Sequence, residues 1–234
     1  MTAATPPPVL VILHQDTSSP GRVGLALTRR GHRLDIRRPR YGDPLPSTLA
    51  DHAGAVIFGG PMSANDEDDW LRREIDWIGV PLAEDRPFLG ICLGAQMLAR
   101  HLGARVRSHA HGEVEIGWYP IEPTHEGRDL GGWPSHVYHW HREGFDLPTG
   151  ARLLATGERF PHQAMAVGRR AFALQFHPEA TLATMHRWTV RGALRLDAPG
   201  AQPRHRHFEG QCLYGDRNRL WLDRFLDLWL AAPV

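Results

Sequence analysis

The sequence predicts an α/β fold, in which a mostly parallel central sheet is covered by helices on both faces. Short apolar runs that suit buried strands alternate with stretches of helical periodicity through residues 9–103. Such alternation produces βαβ units, whose crossover connections place helices on both faces of the sheet. Between residues 104 and 168 the runs become shorter and are separated by Gly and Pro, which predicts a small antiparallel strand region.

The N-terminal part of the chain carries the alternation most clearly. Its predicted strands are residues 9–13, 34–36, 53–58 and 87–91. Its predicted helices are residues 23–30, 68–78 and 93–102. Gly31 and Gly103 follow the first and last of these helices, as expected of helix-ending glycines. Leu71, Ile75 and Ile78 recur at helical spacing in the second, which predicts one buried face.

The rest of the chain adds strands and closes with helices. Its predicted strands are residues 114–121, 152–156 and 171–176, and its predicted helices are residues 181–194 and 218–230. Residues 197–214 are predicted to form a loop, which includes the short basic run at 204–207. The length and the lack of internal repeats predict one domain over residues 1–234, with a flexible proline-rich N-terminus at residues 1–8.

The composition excludes several classes of function. A formal net charge of +1 provides no overall electrostatic attraction to nucleic acid or to an anionic membrane. All 27 Lys and Arg residues are arginine, so the chain has no lysine for Schiff-base chemistry. Cys92 and Cys212 do not amount to a disulfide framework, and the sequence shows neither a secretion signal nor a long apolar span. We therefore predict a reduced, cytoplasmic protein.

The most informative motif is Gly90-Ile91-Cys92-Leu93-Gly94-Ala95-Gln96, between a predicted strand and a predicted helix. A nucleophile on such a turn is exposed at the carboxyl end of the sheet, where α/β active sites form. The N-terminus of the following helix also favours the reactive thiolate. Taken alone, Cys92 is better explained as a small buried residue, since free cysteines are often found in cores.

A second motif, His177-Pro178-Glu179, follows the predicted strand at 171–176. Side chains two residues apart in extended backbone point the same way, so we expect His177 and Glu179 to lie side by side. A carboxylate orients an imidazole and stabilises its protonated form. This pair would supply a base and its orienting group to Cys92, although alone the motif could simply end a strand.

A third motif, Phe58-Gly59-Gly60-Pro61, comes directly after the predicted strand at 53–58. Glycine amides at a strand end can point towards a developing oxyanion, and the amide of Leu93 is the natural second donor. Considered alone, this motif is better explained as an ordinary glycine turn.

The three motifs resemble those of the class I, or triad, glutamine amidotransferases, in which an early Gly-Gly-Pro, a Gly-x-Cys-x-Gly-x-Gln turn and a late His-Pro-Glu follow one another along the chain. The segments at 115–118 and 139–148 are most similar to stand-alone relatives of the amidotransferase domain of GMP synthase. The resemblance implies a flavodoxin-like fold and a Cys92 thioester formed with His177 and Glu179. It implies an oxyanion hole at Gly60 and Leu93. The substrate-binding residues that it implies are Gly59, Gln96, Trp140 and His141.

One segment departs from the family pattern. The common Ser-His-x-Asp pattern is replaced here by Trp140-His141-Arg142-Glu143, which bears on how the amino-acid end of glutamine is held. The substrate would be either glutamine, with ammonia passed to a separate synthetase subunit, or a γ-glutamyl peptide. A non-catalytic binding or regulatory protein that has kept the fold is the alternative.

The remaining clusters predict no further site. His136, His139 and His141 could suggest a metal, but no carboxylate or second cysteine lies near them at a recognisable ligand spacing, so we predict no metal and no cofactor. The face that contains Trp221 and Trp229 is predicted to pack on the core, and if exposed it would suggest a homodimer. We predict no nucleic-acid or membrane partner.

Overall fold

The computed structural model describes residues 5–231 of the 234-residue chain. The predicted flexible N-terminus is only partly covered, because residues 1–4 lie outside the described residues. The strands are β1 (Val9–Ile12), β2 (Leu34–Arg37), β3 (Gly54–Ile57), β4 (Phe88–Ile91), β5 (Val106–Ser108), β6 (Glu115–Pro120), β7 (Glu122–Pro123), β8 (His136–His141), β9 (Glu143–Phe145), β10 (Arg152–Thr156), β11 (Ala164–Val167) and β12 (Ala171–Leu174). The α-helices are α1 (Gly21–Arg29), α2 (Asp69–Trp77), α3 (Gly79–Ala83), α4 (Leu93–His101), α5 (His125–Arg128), α6 (Leu182–Arg191) and α7 (Arg204–Leu230).

The central sheet has the predicted, mostly parallel architecture. Its strand order is β2-β1-β3-β4-β12-β11-β10-β7. The five strands from β2 to β12 in this order are parallel to their neighbours, and β11, β10 and β7 continue the sheet in antiparallel fashion. Strands β1, β3 and β4 are buried along their whole length, as parallel strands covered on both faces must be.

Separate hydrophobic clusters cover the two faces of this sheet. Alternate residues of β1 divide between them, since Val9 and Val11 belong to one cluster and Leu10 and Ile12 to the other. Trp221 and Trp229 of α7 are at most 2% exposed and pack in the first cluster, which confirms the predicted packing of this helix face. None of the described helices is long and apolar enough to cross a membrane.

The prediction of a loop through residues 197–214 is wrong over most of its length. Helix α7 begins at Arg204, so the basic run at 204–207 forms its first turn and is not a surface loop. The sequence conceals this helix because its buried N-terminal positions are not apolar: His207, Gly210 and Gly215 occupy them. A 3-10 helix, Ala193–Asp197, precedes it. The last two residues of the predicted helix at 181–194 belong to this 3-10 helix.

Two small antiparallel ribbons lie outside the central sheet, as the change of pattern after residue 104 predicted. Strand β5 pairs with β9, and β6 pairs with β8. In the second ribbon Glu115 is directly opposite His141, and Gly117 is opposite His139. This register brings a carboxylate to two histidines that are more than twenty residues away in sequence.

Candidate active site

The three sequence motifs meet at the carboxyl ends of three neighbouring strands. Gly59 and Gly60 follow β3, Cys92 follows β4, and His177 follows β12. Because β3, β4 and β12 are adjacent and parallel, their carboxyl ends lie along the same edge of the sheet. Residues widely separated in sequence are therefore brought into one cavity, whose lining includes Gly59, Gly60, Cys92 and His177.

Cys92 occupies a strained backbone position between β4 and α4. Its φ is +51° and its ψ is −102°, a conformation that non-glycine residues rarely adopt. The residue immediately precedes the first turn of α4, and the side chain is 5% exposed where it meets the cavity. Strain of this kind persists where the surrounding structure fixes it, and it is concentrated at functional sites. The geometry confirms the predicted strand-to-helix turn.

His177 and Glu179 lie side by side, but not for the reason that the sequence suggested. Strand β12 ends at Leu174, and Pro178 and Glu179 form a turn rather than extended backbone. Within this turn Nδ1 of His177 is 2.7 Å from Oε1 of Glu179. The other ring nitrogen, Nε2, is buried and has no hydrogen-bond partner among residues 5–231. It is thus available to a group in the cavity.

The charges around His177 favour its protonated form. Burial alone lowers the pKa of the imidazole, but the Glu179 carboxylate and then the Cys92 sulfur outweigh this effect and raise the pKa to about 10. Ring contact with Trp188 of α6, at 4.8 Å between centroids, closes the site on another side. An imidazolium held beside a cysteine sulfur suits nucleophilic attack followed by proton donation.

The glycine loop after β3 approaches both groups closely. A Cβ at Gly59 would lie 2.8 Å from Cε1 of His177 and 3.4 Å from Cβ of Cys92, so a larger residue there would displace the ring. Gly60 adjoins the Leu93 side chain. Within the described residues no protein acceptor is recorded for the amide of Gly60 or of Leu93. Both amides therefore remain available as donors.

A buried ion pair that the sequence analysis missed supports this loop. His14 Nε2 lies 2.8 Å from Glu74 Oε1, and its Nδ1 lies 3.2 Å from the Gly59 carbonyl oxygen. Burial lowers the pKa of His14, but Glu74 and the hydrogen bond to Gly59 outweigh it, so the net pKa is raised. Glu74 is fully buried on α2, next to the apolar face that Leu71 and Ile75 predict. A carboxylate beside a predicted buried face was the sequence signal that could have indicated this ion pair.

The predicted substrate-binding residues largely border a second cavity of about 170 Å³, which also includes Cys92. Gln96, Trp140 and His141 contribute to its lining, together with Arg142 and Glu143. Gln96 Nε2 donates to the Glu143 carbonyl oxygen at 2.7 Å, which ties α4 to β9. Gly59 instead lines the first cavity, beside His177.

Three buried residues behind this cavity have the donor atoms of a metal site. Nδ1 of His139 and Nε2 of His141 lie 3.4 and 3.0 Å from Oε2 of Glu115. Our reason for predicting no metal, that no carboxylate lies near the histidines, is therefore wrong. The carboxylate already has a donor, however, because Gln163 Nε2 hydrogen-bonds to the same oxygen at 2.8 Å. Burial raises the pKa of Glu115, but the two histidines and Gln163 outweigh it and lower the pKa to about 2.

A doubly wound sheet with an elbow cysteine beside an imidazole–carboxylate pair is the arrangement of cysteine-dependent α/β hydrolases. Comparison with known proteins narrows this class. The model of the class-I glutamine amidotransferase family matches residues 25–194. The chain therefore belongs to the class-I glutamine amidotransferase family, which supports hydrolysis or transfer of the glutamine amide in general.

Relatives of known sequence and structure agree with this assignment. The chain is 32% identical to a glutamine amidotransferase-like protein of Salmonella typhimurium over 73% of this chain and 75% of that protein. It is 33% identical to a glutamine-hydrolysing GMP synthase subunit of Sulfurisphaera tokodaii, over 56% of this chain and 69% of that subunit. It is also 36% identical to the GMP synthase of Aeropyrum pernix over 58% of this chain, but this alignment spans only about a quarter (26%) of that enzyme.

Solved structures confirm the flavodoxin-like fold. The structure of a glutamine amidotransferase from Methylobacillus flagellatus has a TM-score of 0.88 and 27% identity, over 96% of this chain and 94% of that one. A glutamine amidotransferase from Thermotoga maritima gives a TM-score of 0.86 and 31% identity, over 96% and 98% of the two chains.

Proposed function

We propose that the protein hydrolyses the side-chain amide of a γ-glutamyl compound through a thioester on Cys92. The observation that carries this proposal is the strained backbone of Cys92 at a cavity shared with His177, whose Nδ1 is held by Glu179 at 2.7 Å. A protein that only bound ligands would need neither the strained cysteine nor the buried charged pair.

The first half of the reaction forms the thioester. The Cys92 sulfur attacks the γ-carbonyl carbon of the substrate, and the amides of Gly60 and Leu93 stabilise the resulting oxyanion. His177 passes its Nε2 proton to the nitrogen as the carbon–nitrogen bond breaks. The amine leaves, and the γ-glutamyl group remains bound to sulfur.

The second half releases glutamate. His177, now neutral, accepts a proton from a water molecule that attacks the thioester carbonyl, and the Cys92 sulfur leaves as thiolate. Glu179 orients the ring throughout and stabilises it each time it becomes charged. The net reaction adds one water molecule across the amide bond.

The amino-acid end of the γ-glutamyl group carries one carboxylate and one ammonium group. We assign it to the smaller cavity, where Arg142 and Glu143 offer opposite charges beside Gln96, Trp140 and His141. In this assignment Glu143 supplies the negative charge for the ammonium group, although the segment Trp140-His141-Arg142-Glu143 departs from the common Ser-His-x-Asp pattern. A reduced Cys92 is required, and the free thiols of both cysteines support the cytoplasmic location that we propose.

Glutamate release by the purified protein tests this function. The substrates are L-glutamine and a panel of γ-glutamyl peptides, and the variants are Cys92→Ala and the matched control Cys212→Ala. Cys212 is exposed and is not part of the cavity. We expect turnover that is lost in Cys92→Ala and kept in Cys212→Ala. Equal loss in both variants, or turnover that survives in Cys92→Ala, would rule out the proposed nucleophile.

A second candidate is a glutaminase subunit that supplies ammonia to a separate synthetase. It is favoured by the similarity to the Sulfurisphaera tokodaii protein, which is by its name one subunit of GMP synthase. In this case glutamate release from glutamine would rise when the partner is added, whereas a stand-alone hydrolase would show no such dependence.

A further inference from the structure

Cys92 lines two cavities. They extend from the nucleophile past different residues. The smaller cavity contains Gln96 and His141 but not His177. The larger, of about 230 Å³, contains His177 and extends along α6. The substrate carbonyl carbon must sit at Cys92. Its oxygen faces the amides of Gly60 and Leu93, so the glutamyl chain and the amide nitrogen are left to extend into the two cavities.

The position of His177 decides which substituent enters which cavity. A general acid must lie within hydrogen-bond reach of the atom that it protonates. The leaving nitrogen therefore faces Nε2 of His177, and whatever is attached to that nitrogen extends into the larger cavity. A water-sized leaving group such as ammonia needs only about 10–15 Å³ of such space. The cavity is much larger than this, which suits a substituted amine.

The outer wall of this cavity is positively charged. Arg187 and Arg191 line it from α6, and Arg195 of the following 3-10 helix lines both cavities. Arg187 and Arg191 are four residues apart on α6 and therefore lie on one face of that helix. Arg187 is half-buried, and the other two are exposed at the rim.

Little in the cavity neutralises these three arginines. The one carboxylate in its described lining is Glu179, which is already paired with His177. Arg191 donates to Thr17 Oγ1 at 3.2 Å, and no ion pair is recorded within residues 5–231 for any of the three. Ser18 and Ser19 also line the cavity and add hydroxyl groups. The wall thus offers several donors and positive charge to an anion.

We propose that this arginine wall binds the carboxylate of an amino-acid or peptide leaving group, so that the preferred substrates are γ-glutamyl amino acids and peptides. The inference rests on the proposed γ-glutamyl hydrolase function and specifies its substrate class. The chemistry is that of the thioester mechanism: the carbon–nitrogen bond breaks, His177 protonates the nitrogen, and the free amino acid departs. Water then releases glutamate from Cys92.

The test compares γ-glutamylglycine with γ-glutamylglycinamide, which differ only in whether the glycine end is a carboxylate or a neutral amide. We expect kcat/KM for the acid to exceed that for the amide by about tenfold, the ratio that corresponds to 1.4 kcal/mol. In the double variant Arg187→Gln/Arg191→Gln the ratio should fall towards one. Because the ratio is taken within each variant, a general loss of activity or folding cancels.

Arg73→Gln provides the matched control, since Arg73 is an exposed arginine on α2 outside the cavity. It should keep the ratio of the unmodified protein. The arginine wall is overturned if the ratio is near one in the unmodified protein, or if the tenfold ratio persists in the double variant. Either result leaves the proposed γ-glutamyl hydrolysis intact. If the protein hydrolyses none of the three compounds (γ-glutamylglycine, γ-glutamylglycinamide and glutamine), the proposed function itself is contradicted, and the inference fails with it.

Discussion

His177 Nδ1 lies 2.7 Å from Oε1 of Glu179, and both side chains are almost fully buried at the carboxyl edge of the sheet. A buried carboxylate in this contact fixes the orientation of the ring and holds its pKa at about 10, against the effect of burial. Nε2 is left facing the cavity with no hydrogen-bond partner within the described part of the chain. The pair makes His177 a proton donor at neutral pH, and this governs the pH dependence of the reaction.

Replacing Glu179 by Gln should shift the alkaline limb of the pH–rate profile. The carboxylate raises the pKa of His177, so its loss lowers that pKa, and the proton needed by the leaving group is lost at a lower pH. Profiles of kcat/KM against pH for the unmodified protein and Glu179→Gln measure the shift. Glu158→Gln, at an exposed position, is the control. An unmoved limb in Glu179→Gln would show that Glu179 does not tune His177.

Replacing Glu74 by Gln should reduce kcat through the glycine loop. Without its ion-pair partner, His14 loses the charge that holds the Gly59 carbonyl, and the amide of Gly60 shifts with the loop. Removal of an oxyanion donor costs about 100- to 1,000-fold in kcat, and displacement of a donor should cost less, about tenfold. Steady-state kinetics should show a larger change in kcat than in KM.

The control for Glu74 is Glu67→Gln, since the Glu67 side chain is 90% exposed. This variant should behave like the unmodified protein. If Glu74→Gln kept full kcat while remaining folded, the ion pair would be structural only and would not position the loop.

Glu115 should contribute stability that is lost in acid. Its folded pKa is lowered from 4.5 to about 2, so the stabilisation is complete above its unfolded value and declines as pH falls from about 4.5 towards 2. Denaturant unfolding at pH 7 and at low pH measures it. The free energy of unfolding of Glu115→Gln should vary less over this range, and an equal pH dependence in both proteins would refute the account.

Two glycines of α7 should respond oppositely to alanine. A Cβ at Gly210 would lie 2.2 Å from Cδ1 of the buried Trp118, so Gly210→Ala should destabilise the protein by about 1–3 kcal/mol. At Gly215 the obstructing atom is the end of the Gln211 side chain, which can move away. Gly215→Ala should therefore be neutral or stabilising, because alanine favours the helix by about 1 kcal/mol. Thermal unfolding compares the two variants, and equal effects would contradict this packing.

The same helix shows where sequence reading fails. Apolar periodicity predicted its C-terminal half, where Trp221, Phe225 and Trp229 face the core. Its N-terminal part lies in the segment predicted to be a loop, and there Gly210 is small because Trp118 packs against it. A glycine that accommodates a neighbouring ring looks the same in sequence as one that makes a turn.

The candidate site was predictable to the extent that its motifs are local. Cys92 at a strand–helix boundary and the His177–Glu179 pair each need only a few adjacent residues to be recognised. The His14–Glu74 pair joins residues sixty positions apart, and Glu115 meets His141 through the register of two strands. Those contacts depend on tertiary packing, which periodicity alone does not specify.

The most direct test of the central claim is acid quenching of the protein during turnover of γ-glutamylglycine, followed by peptide mass spectrometry. We expect a γ-glutamyl group on the peptide that contains Cys92, removed by hydroxylamine as expected for a thioester and missing from Cys92→Ala. Glutamate release with no adduct on Cys92, and with undiminished turnover in Cys92→Ala, would contradict it.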